Sequence, residues 1–538
     1  MKSQKTPAIP IGALIGALLT SPLIALFYLG WKLLGLPFVP FNIFDWISRA
    51  LPGSIDTFAI DWMVRLIHSL HLGSTASAAK TAERILAIFL FLFAGIVAGA
   101  VLFAVLRIWK EKSYFAGAFM GGSAGVTAWF ITEGLNQPTT VDPVVGSLWI
   151  LAAFVFWGAA FGWAHDRLSA PEAVATTADH VEVDTFDRRR FIIRLGGATA
   201  IITVVGAAVG ALVGNKRARE IAESERLLSE TPLPNAGASV KPAPGTRPEL
   251  TPLENHYRID INTIAPSISE ESWRLKISGL VESPLELRLE DLRHYEPTEE
   301  FITLSCISNP VAGDLIGTAR WTGVSLKRVL PDFKLKSSAT HLKISAADGF
   351  YEVVALDLIK SDERVMLVHA WDGVPLLTEH GFPLRIYIPD RYGMKQPKWI
   401  ESIEAIDRPE DGYWVKRGWD REARMKATSV IDTIAADMTQ GQASQPALVA
   451  VGGIAHAGAR GISKVEVKVD DGEWREAQLR TPLSGLTWVL WRYDWPFQKG
   501  KHIFTVRCSD GSGAPQIVDE APPHPDGASG LHSKSALL

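Results

Sequence analysis

Hydrophobic and polar positions follow two different rhythms along this 538-residue chain. Up to about residue 214 the rhythm is long. Uncharged apolar runs at 6–31, 85–106, 113–132, 143–164 and 195–214 each approach the ~20 residues a helix needs to cross a bilayer. Five spanning helices are therefore expected in a membrane domain over 1–214. Lys2 and Lys5 precede the first run, Arg107, Lys110 and Lys112 fill one connection, and Arg167 with Arg188, Arg189 and Arg190 lie before the fifth. With a cytoplasmic N-terminus these basic groups fall inside, and everything beyond about 215 falls outside. Lys216, Arg217 and Arg219 pull the other way.

Between 41 and 73, "FNIFDWISRAL" and "DTFAIDWMVRLIHSL" have helical period but carry charges, which predicts interfacial or re-entrant amphipathic helices. "RRRFIIRLGGATA" (188–200) reads either as a twin-arginine-type export signal or as the basic flank of a stop-transfer segment. Residues 215–250, rich in Pro, Ala, Ser, Glu and Arg, are expected to be a linker.

The second rhythm begins near 251. "WRLKISGLV", "FITLSC" and "FPLRIYIPD" read as strands, "TGVSLKRVL" as a short helix, and "HLKISAADGFYEVVAL" as two strands around an Asp-Gly turn. Strands interleaved with short helices predict a mixed α+β domain over 251–410. From 427 to 520 the pattern is almost purely strand, with "SKVEVKVDDGEWREAQL" alternating on both sides of a tight turn. That texture predicts an immunoglobulin-like β-sandwich.

Composition narrows the chemistry. A net charge of −4 gives no nucleic-acid signature, and a mean hydropathy of +0.12 agrees with membrane segments. Two cysteines supply neither a disulfide framework nor a four-thiolate metal site, and no CxxCH motif is present. No histidine lies inside the five apolar runs, so no haem is expected between them.

Cys306, in "TLSCISNPVAGDLIG", ends a predicted strand and meets an Asn-Pro turn. By residue type it is a small buried hydrophobe; by position it is a nucleophile or a metal ligand. "ENHYRID", "TLSCISN", "ARWTGVSLKRVL", "DGFYEVVALD", "EHGFPLRIYIPDRYGMKQPKWI" and "GARGISKVEVKVDDGEW" occur in that order. Together they resemble the sulfite-oxidase-type molybdopterin-dependent oxidoreductase family over 251–410, and its dimerisation domain over 427–520. The resemblance implies molybdenum–molybdopterin as cofactor, with Cys306 as its metal ligand. It implies His380 and Arg385 at the pterin phosphate and ring edges, Gln396, Pro397 and Lys398 along the pterin, and Asn255 and Tyr257 at the entry loop. Asp348 matches an acidic position beside the pterin, or is a turn residue before glycine.

The departures bear on substrate. Glu254 stands where sulfite oxidases carry an arginine, and Pro310–Val311 replace an arginine pair. His369 falls where they have an active-site tyrosine; it is either a proton donor or acceptor or a histidine bonded to a backbone carbonyl. Taken with the five expected spans and their basic flanks, the resemblance implies a membrane-anchored, extracytoplasmic (periplasmic) enzyme of oxygen-atom transfer. Its expected partners are a small-molecule substrate, a separate cytochrome or quinone-linked electron carrier, and a second copy in a homodimer. A sulfoxide or N-oxide reductase of the same superfamily, and a cofactor-free membrane scaffold or sensor, are the alternatives.

Overall fold

The computed structural model describes residues 8–53, 74–108, 113–135, 141–169, 188–212, 216–435 and 448–538, with isolated positions between 54 and 73. The second amphipathic stretch, 56–70, lies largely outside the described residues. The chain divides into two compact units. One holds Met1–Leu51, Lys80–Asn215 and Ile261–Ser267; the other holds Pro52–Ala79, Lys216–Asp260 and Ile268–Leu538.

The first unit is helical. All five apolar runs form helices, α1 (Ile9–Leu34), α3 (Thr75–Ile108), α4 (Ser113–Gly134), α5 (Pro143–Ser169) and α6 (Arg188–Leu212), with α2 (Val39–Ala50) between the first two. Among the described residues, three of them, α1, α3 and α5, are long and apolar enough to cross a membrane, against the five expected. Glycine content dilutes α4, and the side chains at the C-terminal end of α6 lie outside those described. Helix α5 runs past the apolar stretch to include His165, which is buried beside Phe103 with Nδ1 2.9 Å from Ser113 Oγ.

Small residues set how closely the helices approach. Gly12 and Gly16 of α1 face Gly99 and Gly95 of α3, and Gly117 and Gly121 of α4 face Gly158 and Gly162 of α5. A Cβ on Gly158 would lie 2.2 Å from the Gly117 carbonyl oxygen. This is the small-xxx-small packing by which helices in lipid gain van der Waals contact. Gly158→Val is expected to cost about 1–3 kcal/mol or more through overpacking, read as a lower unfolding midpoint in detergent. Gly134→Val, with nothing within 4 Å of its Cβ position, is expected to leave the midpoint unchanged.

The charges of "FNIFDWISRAL" are used inside the unit. Asp45 on α2 accepts hydrogen bonds from Thr263 N and Oγ1 at 2.9 and 2.6 Å, and Arg49 donates to Asn262 Oδ1 at 2.6 Å. Lys80 donates to the Asn262 carbonyl at 3.1 Å. The helix thus anchors Ile261–Ser267 with the groups that made it look interfacial.

The second unit opens with a correction. The expected linker begins as α7 (Lys216–Glu230), which buries Ser224 and packs Ile221 and Leu227 against the core around Trp321 and Trp371. Arg226 ties the exposed face to Glu223 and Glu230 at i−3 and i+4. Residues 231–250 lie along the C-terminal β-rich region. There Asn235 Nδ2 donates to the Thr481 carbonyl at 2.7 Å, and Arg247 makes a bidentate pair with Asp432.

Two sheets follow, the first mixed and the second antiparallel. One has the order β2 (Leu285–Leu287), β1 (Leu275–Gly279), β10 (Ile400–Ile406), β5 (His341–Ala346), β6 (Tyr351–Ala355), with β1 and β10 parallel. The other runs β3 (Thr298–Ser305), β4 (Ile316–Ser325), β7 (Met366–Trp371), β8 (Val374–Pro375), and β9 (Arg385–Tyr387) pairs with β7. The two-residue period divides this second sheet. Val324, Leu367 and Ile386 face one core, with Ile277 and Ile344 of the first sheet, while Ile302, Leu304, Trp321, Val368 and Tyr387 face another that contains Cys306.

The C-terminal region is two four-stranded antiparallel sheets. The first is β11 (Thr428–Ala435), β12 (Leu448–His456), β16 (Val489–Pro496) and β15 (Gln478–Leu479); the second is β14 (Arg475–Glu476), β13 (Ile462–Val469), β17 (Lys501–Asp510) and β18 (His532–Leu537). Val451 and Trp491 of the first share a core with Val467, Phe504 and Cys508 of the second. Cys508 is packing: burial pushes its thiol up to about 12. The Asp-Asp-Gly turn follows β13, with Asp470 in the left-handed region at φ 51°.

Candidate active site around Cys306

Cys306 is the first residue after β3, and the loop behind it is tied back on itself. Its N–H donates to the Leu315 carbonyl at 2.9 Å, and its own carbonyl accepts from Asn309 N at 3.1 Å. Asn309 Oδ1 accepts from Leu315 N at 2.9 Å. The asparagine of the Asn-Pro signal therefore fixes the thiol. Sγ lies 3.0 Å from Ser308 Oγ. Burial raises the Cys306 thiol above its ordinary range, opposed by the Ser308 contact, the backbone amides of Ser308 and Ile307, and Lys398. Such a thiol is a poor free nucleophile at neutral pH. It becomes a competent ligand once a metal offsets the burial of its charge.

A buried cationic cluster belongs to the same unit. Arg385, at the start of β9, donates from Nη1 to the His380 carbonyl at 3.0 Å, and its guanidinium lies 4.6 and 5.7 Å from the Trp321 and Trp371 rings. Lys398 donates to the carbonyls of Ile259 and Glu379, each at 3.2 Å, and pairs with Asp260, which also pairs with Arg258. Gly381, in the left-handed region at φ 113°, lets the two cations converge, since a Cβ there would sit 3.1 Å from that of Lys398 and 3.2 Å from that of Arg385. The His256 ring packs 4.4 Å from Trp371 and 5.7 Å from His380. Burial, aided by the neighbouring cations, pushes His256 down to about 3 and His380 well below its ordinary value, so both are neutral.

Arg258 and Lys398 both pair with Asp260, whereas Arg385 meets no carboxylate among the described residues and its Nε makes no hydrogen bond. A buried guanidinium with an uncommitted N–H, beside a second buried cation, suits a phosphate dianion.

The other expected positions divide. Tyr257 is buried against His256, and both Cys306 and Arg385 act on its hydroxyl electrostatically, though burial is the main reason its ionisation is pushed upward. Gln396 donates from Nε2 to the carbonyls of Ile388 and Arg391 at 3.3 and 3.0 Å, while its buried Oε1 has no partner. Pro397 spends its carbonyl on Ile386 N at 3.1 Å, which joins β9 to this loop. Asp348 is buried and its Oδ1 accepts from Phe350 N at 3.0 Å, the geometry of the turn reading. Asn255 is exposed at the end of a 3-10 turn.

His369 is not brought to Cys306. Thr322 pairs with Ala370 and Gly323 with Val368, so His369 sits in the bulge between them, and Thr322 pairs with Glu299 at the start of β3. Cys306 follows the other end of β3, seven residues on, or roughly 20 Å at ~3.3 Å per residue. His369 instead faces Arg293 and Glu270, and burial first, then Arg293, pushes it down to about 4. The proton-transfer expectation for His369 is thereby withdrawn.

Arg258, Asp260 and His256 were not singled out from the sequence. Their signal was the i, i+2 spacing of "ENHYRID", which puts Arg258 and Asp260 on one side of an extended segment.

Residues 262–414 match the family model described as an oxidoreductase molybdopterin binding domain. The chain carries an oxidoreductase molybdopterin binding domain. It is 28% identical over 256 residues to a nitrate reductase [NADPH] of Fusarium oxysporum, covering 39% of this chain and 28% of that protein. It is 26% identical over 288 residues to the mitochondrial sulfite oxidase of Macaca fascicularis, covering 45% and 52%. The chain thus spans about half or less of these relatives. Among solved structures, the sulfane dehydrogenase SoxCD from Paracoccus pantotrophus matches with a TM-score of 0.45 at 19% identity, over 57% of this chain and 86% of that one. A molybdenum–molybdopterin cofactor is implied by the domain, and the residues fit it: a buried thiol for the metal, the buried Arg385 with its open Nε for the phosphate, and the free Oε1 of Gln396 near the loop expected along the pterin.

Lys398 gives the cluster a pH dependence. Burial lowers its pKa from 10.5 to about 8, with Asp260 opposing and Arg258 and Arg385 adding. An anion binds the protonated amine, so raising the pH through about 8 removes one positive charge from the empty site. Affinity of the cofactor-free full chain for inorganic phosphate is expected to fall above pH 8, by up to about tenfold per pH unit. Lys398→Arg, which keeps its proton, is expected to flatten that fall in calorimetric titrations from pH 7 to 9.5.

Proposed function

We propose that this protein is a membrane-anchored, extracytoplasmic oxidoreductase of oxygen-atom transfer. Its catalytic domain holds molybdenum through Cys306 and the molybdopterin phosphate through Arg385, Lys398 and Arg258. The carrying observation is the pairing, in one unit, of a buried thiol under the influence of Lys398 with a buried Arg385 guanidinium whose Nε has no hydrogen-bond partner. A scaffold gains nothing from burying Arg385 with no carboxylate in contact, which costs several kcal/mol.

When bound, the cofactor supplies two-electron oxygen-atom chemistry. The chain's residues position and insulate it. Trp321 and Trp371 wall off water around Arg385, Gln396 braces the 388–391 loop, and neutral His256 and His380 add no charge that would compete for the phosphate. We read the C-terminal pair of sheets as the immunoglobulin-like sandwich of a dimerisation-type domain. Electrons pass to or from a separate cytochrome or quinone-linked carrier at the membrane.

The test is to purify the full chain from a molybdenum-replete host and measure bound molybdenum and pterin. About one of each per chain is expected; a folded chain holding neither would overturn the enzyme reading in favour of a scaffold.

A further inference from the structure

The turn that carries Cys306 closes against the end of a helix. Leu315 ties its two limbs together, accepting from Cys306 N and donating to Asn309 Oδ1. Between them Ala312 takes the left-handed region at φ 66°. A residue with a Cβ pays for that conformation and keeps it only where its surroundings hold it. Asn309 supplies one hold. Another comes from 239 positions away: the Thr75 N–H, at the first residue of α3, donates to Asp314 Oδ2 at 2.7 Å.

A helix start is suited to that carboxylate. Its first N–H groups have no partner within the helix, and the helix dipole is positive there. Thr75 is 2% exposed, and Ala76 packs in the same core as Cys306 and Leu315. Residues up to Ala79 belong with the second unit, so these contacts are internal to the unit that holds the thiol. The family match over 262–414 includes Asp314, whereas Thr75 lies outside it. The bond therefore joins the matched domain to a helix that is long and apolar enough to cross a membrane.

Cys306 is 8% exposed. A thiol so covered meets a metal or a reagent only when its turn opens. We propose that the first turn of α3 is a latch on the Cys306 turn, fastened by the hydrogen bond from Thr75 N to Asp314, and that its release uncovers the thiol. Asp314 is a positioning residue, acting on Cys306 through the turn. The inference rests on the molybdopterin reading only for what the uncovered thiol then receives.

The test is the rate at which N-ethylmaleimide alkylates Cys306 in the cofactor-free full chain in detergent, in a Cys508→Ser background, followed by mass spectrometry at one pH. That rate follows the equilibrium for opening when opening and closing are fast. Asp314→Ala is expected to speed alkylation about tenfold, the worth of a helix cap. Thr75→Pro deletes the same bond from the other side, since proline suits a first helical position and has no N–H. It is expected to give a similar rate. The double variant is expected to match the single ones, because both changes remove one interaction. Asp314→Asn, as good a cap as aspartate, is expected to stay near the parent rate.

An unchanged rate in Asp314→Ala, multiplied effects in the double variant, or an Asp314→Asn rate as fast as that of Asp314→Ala would each overturn the latch. So would equal acceleration at Cys508 in a Cys306→Ser background, the mark of general loosening. Molybdenum bound by the parent chain reports separately on the molybdopterin reading, because the alkylation rates are read on empty protein.

Discussion

Cys306→Ser is expected to lower turnover by at least about 100-fold, the upper end of what even outer-shell changes at metal sites cost. It should also alter the molybdenum electron paramagnetic resonance spectrum. Serine keeps the size of the side chain, and the surrounding turn is held by backbone and Asn309 contacts that do not involve Sγ. A purely structural cysteine would therefore tolerate the change. Cys306→Ala sharpens the test: if the residue only fills space in the core it shares with Trp321, alanine should cost stability and leave turnover intact. Retained turnover in Cys306→Ala with normal molybdenum content would remove the residue from the metal. Cys508→Ser is the matched control, since that thiol is buried in the C-terminal core with Gln516 Oε1 at 3.3 Å and is expected to affect stability alone.

The reason Cys306 could be found from sequence, while its neighbours could not, is local. "FITLSC" alternates as a strand should and "SNP" announces a turn, so the thiol's place at a strand end is written within ten residues. The cationic cluster is not local: Lys398 meets Asp260 across 138 positions, and only burial turns Arg258 and Asp260 from ordinary loop charges into a site. His369 misled for a related reason. Its place on a strand was legible, but which end of the sheet that strand segment occupies depends on the β4–β7 register and its bulge. The supposed linker misled through sparseness. Among the described side chains of helix α7, Ile221 and Leu227 pack on the core and Ser224 is buried, apolar positions too sparse to register as periodicity in so charged a segment. The candidate membrane spans were legible because length and apolarity are both visible in one dimension. Their count was less so, because the glycines that let α4 and α5 touch also lower the hydropathy that marks a span.

Arg385→Met is expected to act in opposite directions on the empty and the loaded protein. In the empty site the guanidinium is buried without a carboxylate in contact, and burial pulls its pKa from 12.5 to about 10, with Tyr257 and Asp260 opposing. That shift corresponds to ~3 kcal/mol set against folding, at 1.36 kcal/mol per unit. Methionine has similar length, no charge, and suits a slot between Trp321 and Trp371. The cofactor-free variant is therefore expected to be as stable as the parent or more so, as when buried ions are replaced by apolar residues of like volume. Pterin retention should move the other way, because the phosphate loses a charged, buried partner. Such a loss costs about 2–5 kcal/mol, or roughly 30-fold to several thousand-fold in affinity. Thermal midpoints of the empty chain and pterin retained through purification measure the two effects on one sample. Arg385→Lys is expected to fall between them, keeping the charge without the planar fork that matches phosphate. Equal loss of stability and pterin would instead make Arg385 a structural residue of the tryptophan core. A more stable chain that cannot keep its pterin is the result that only an anion-binding role explains.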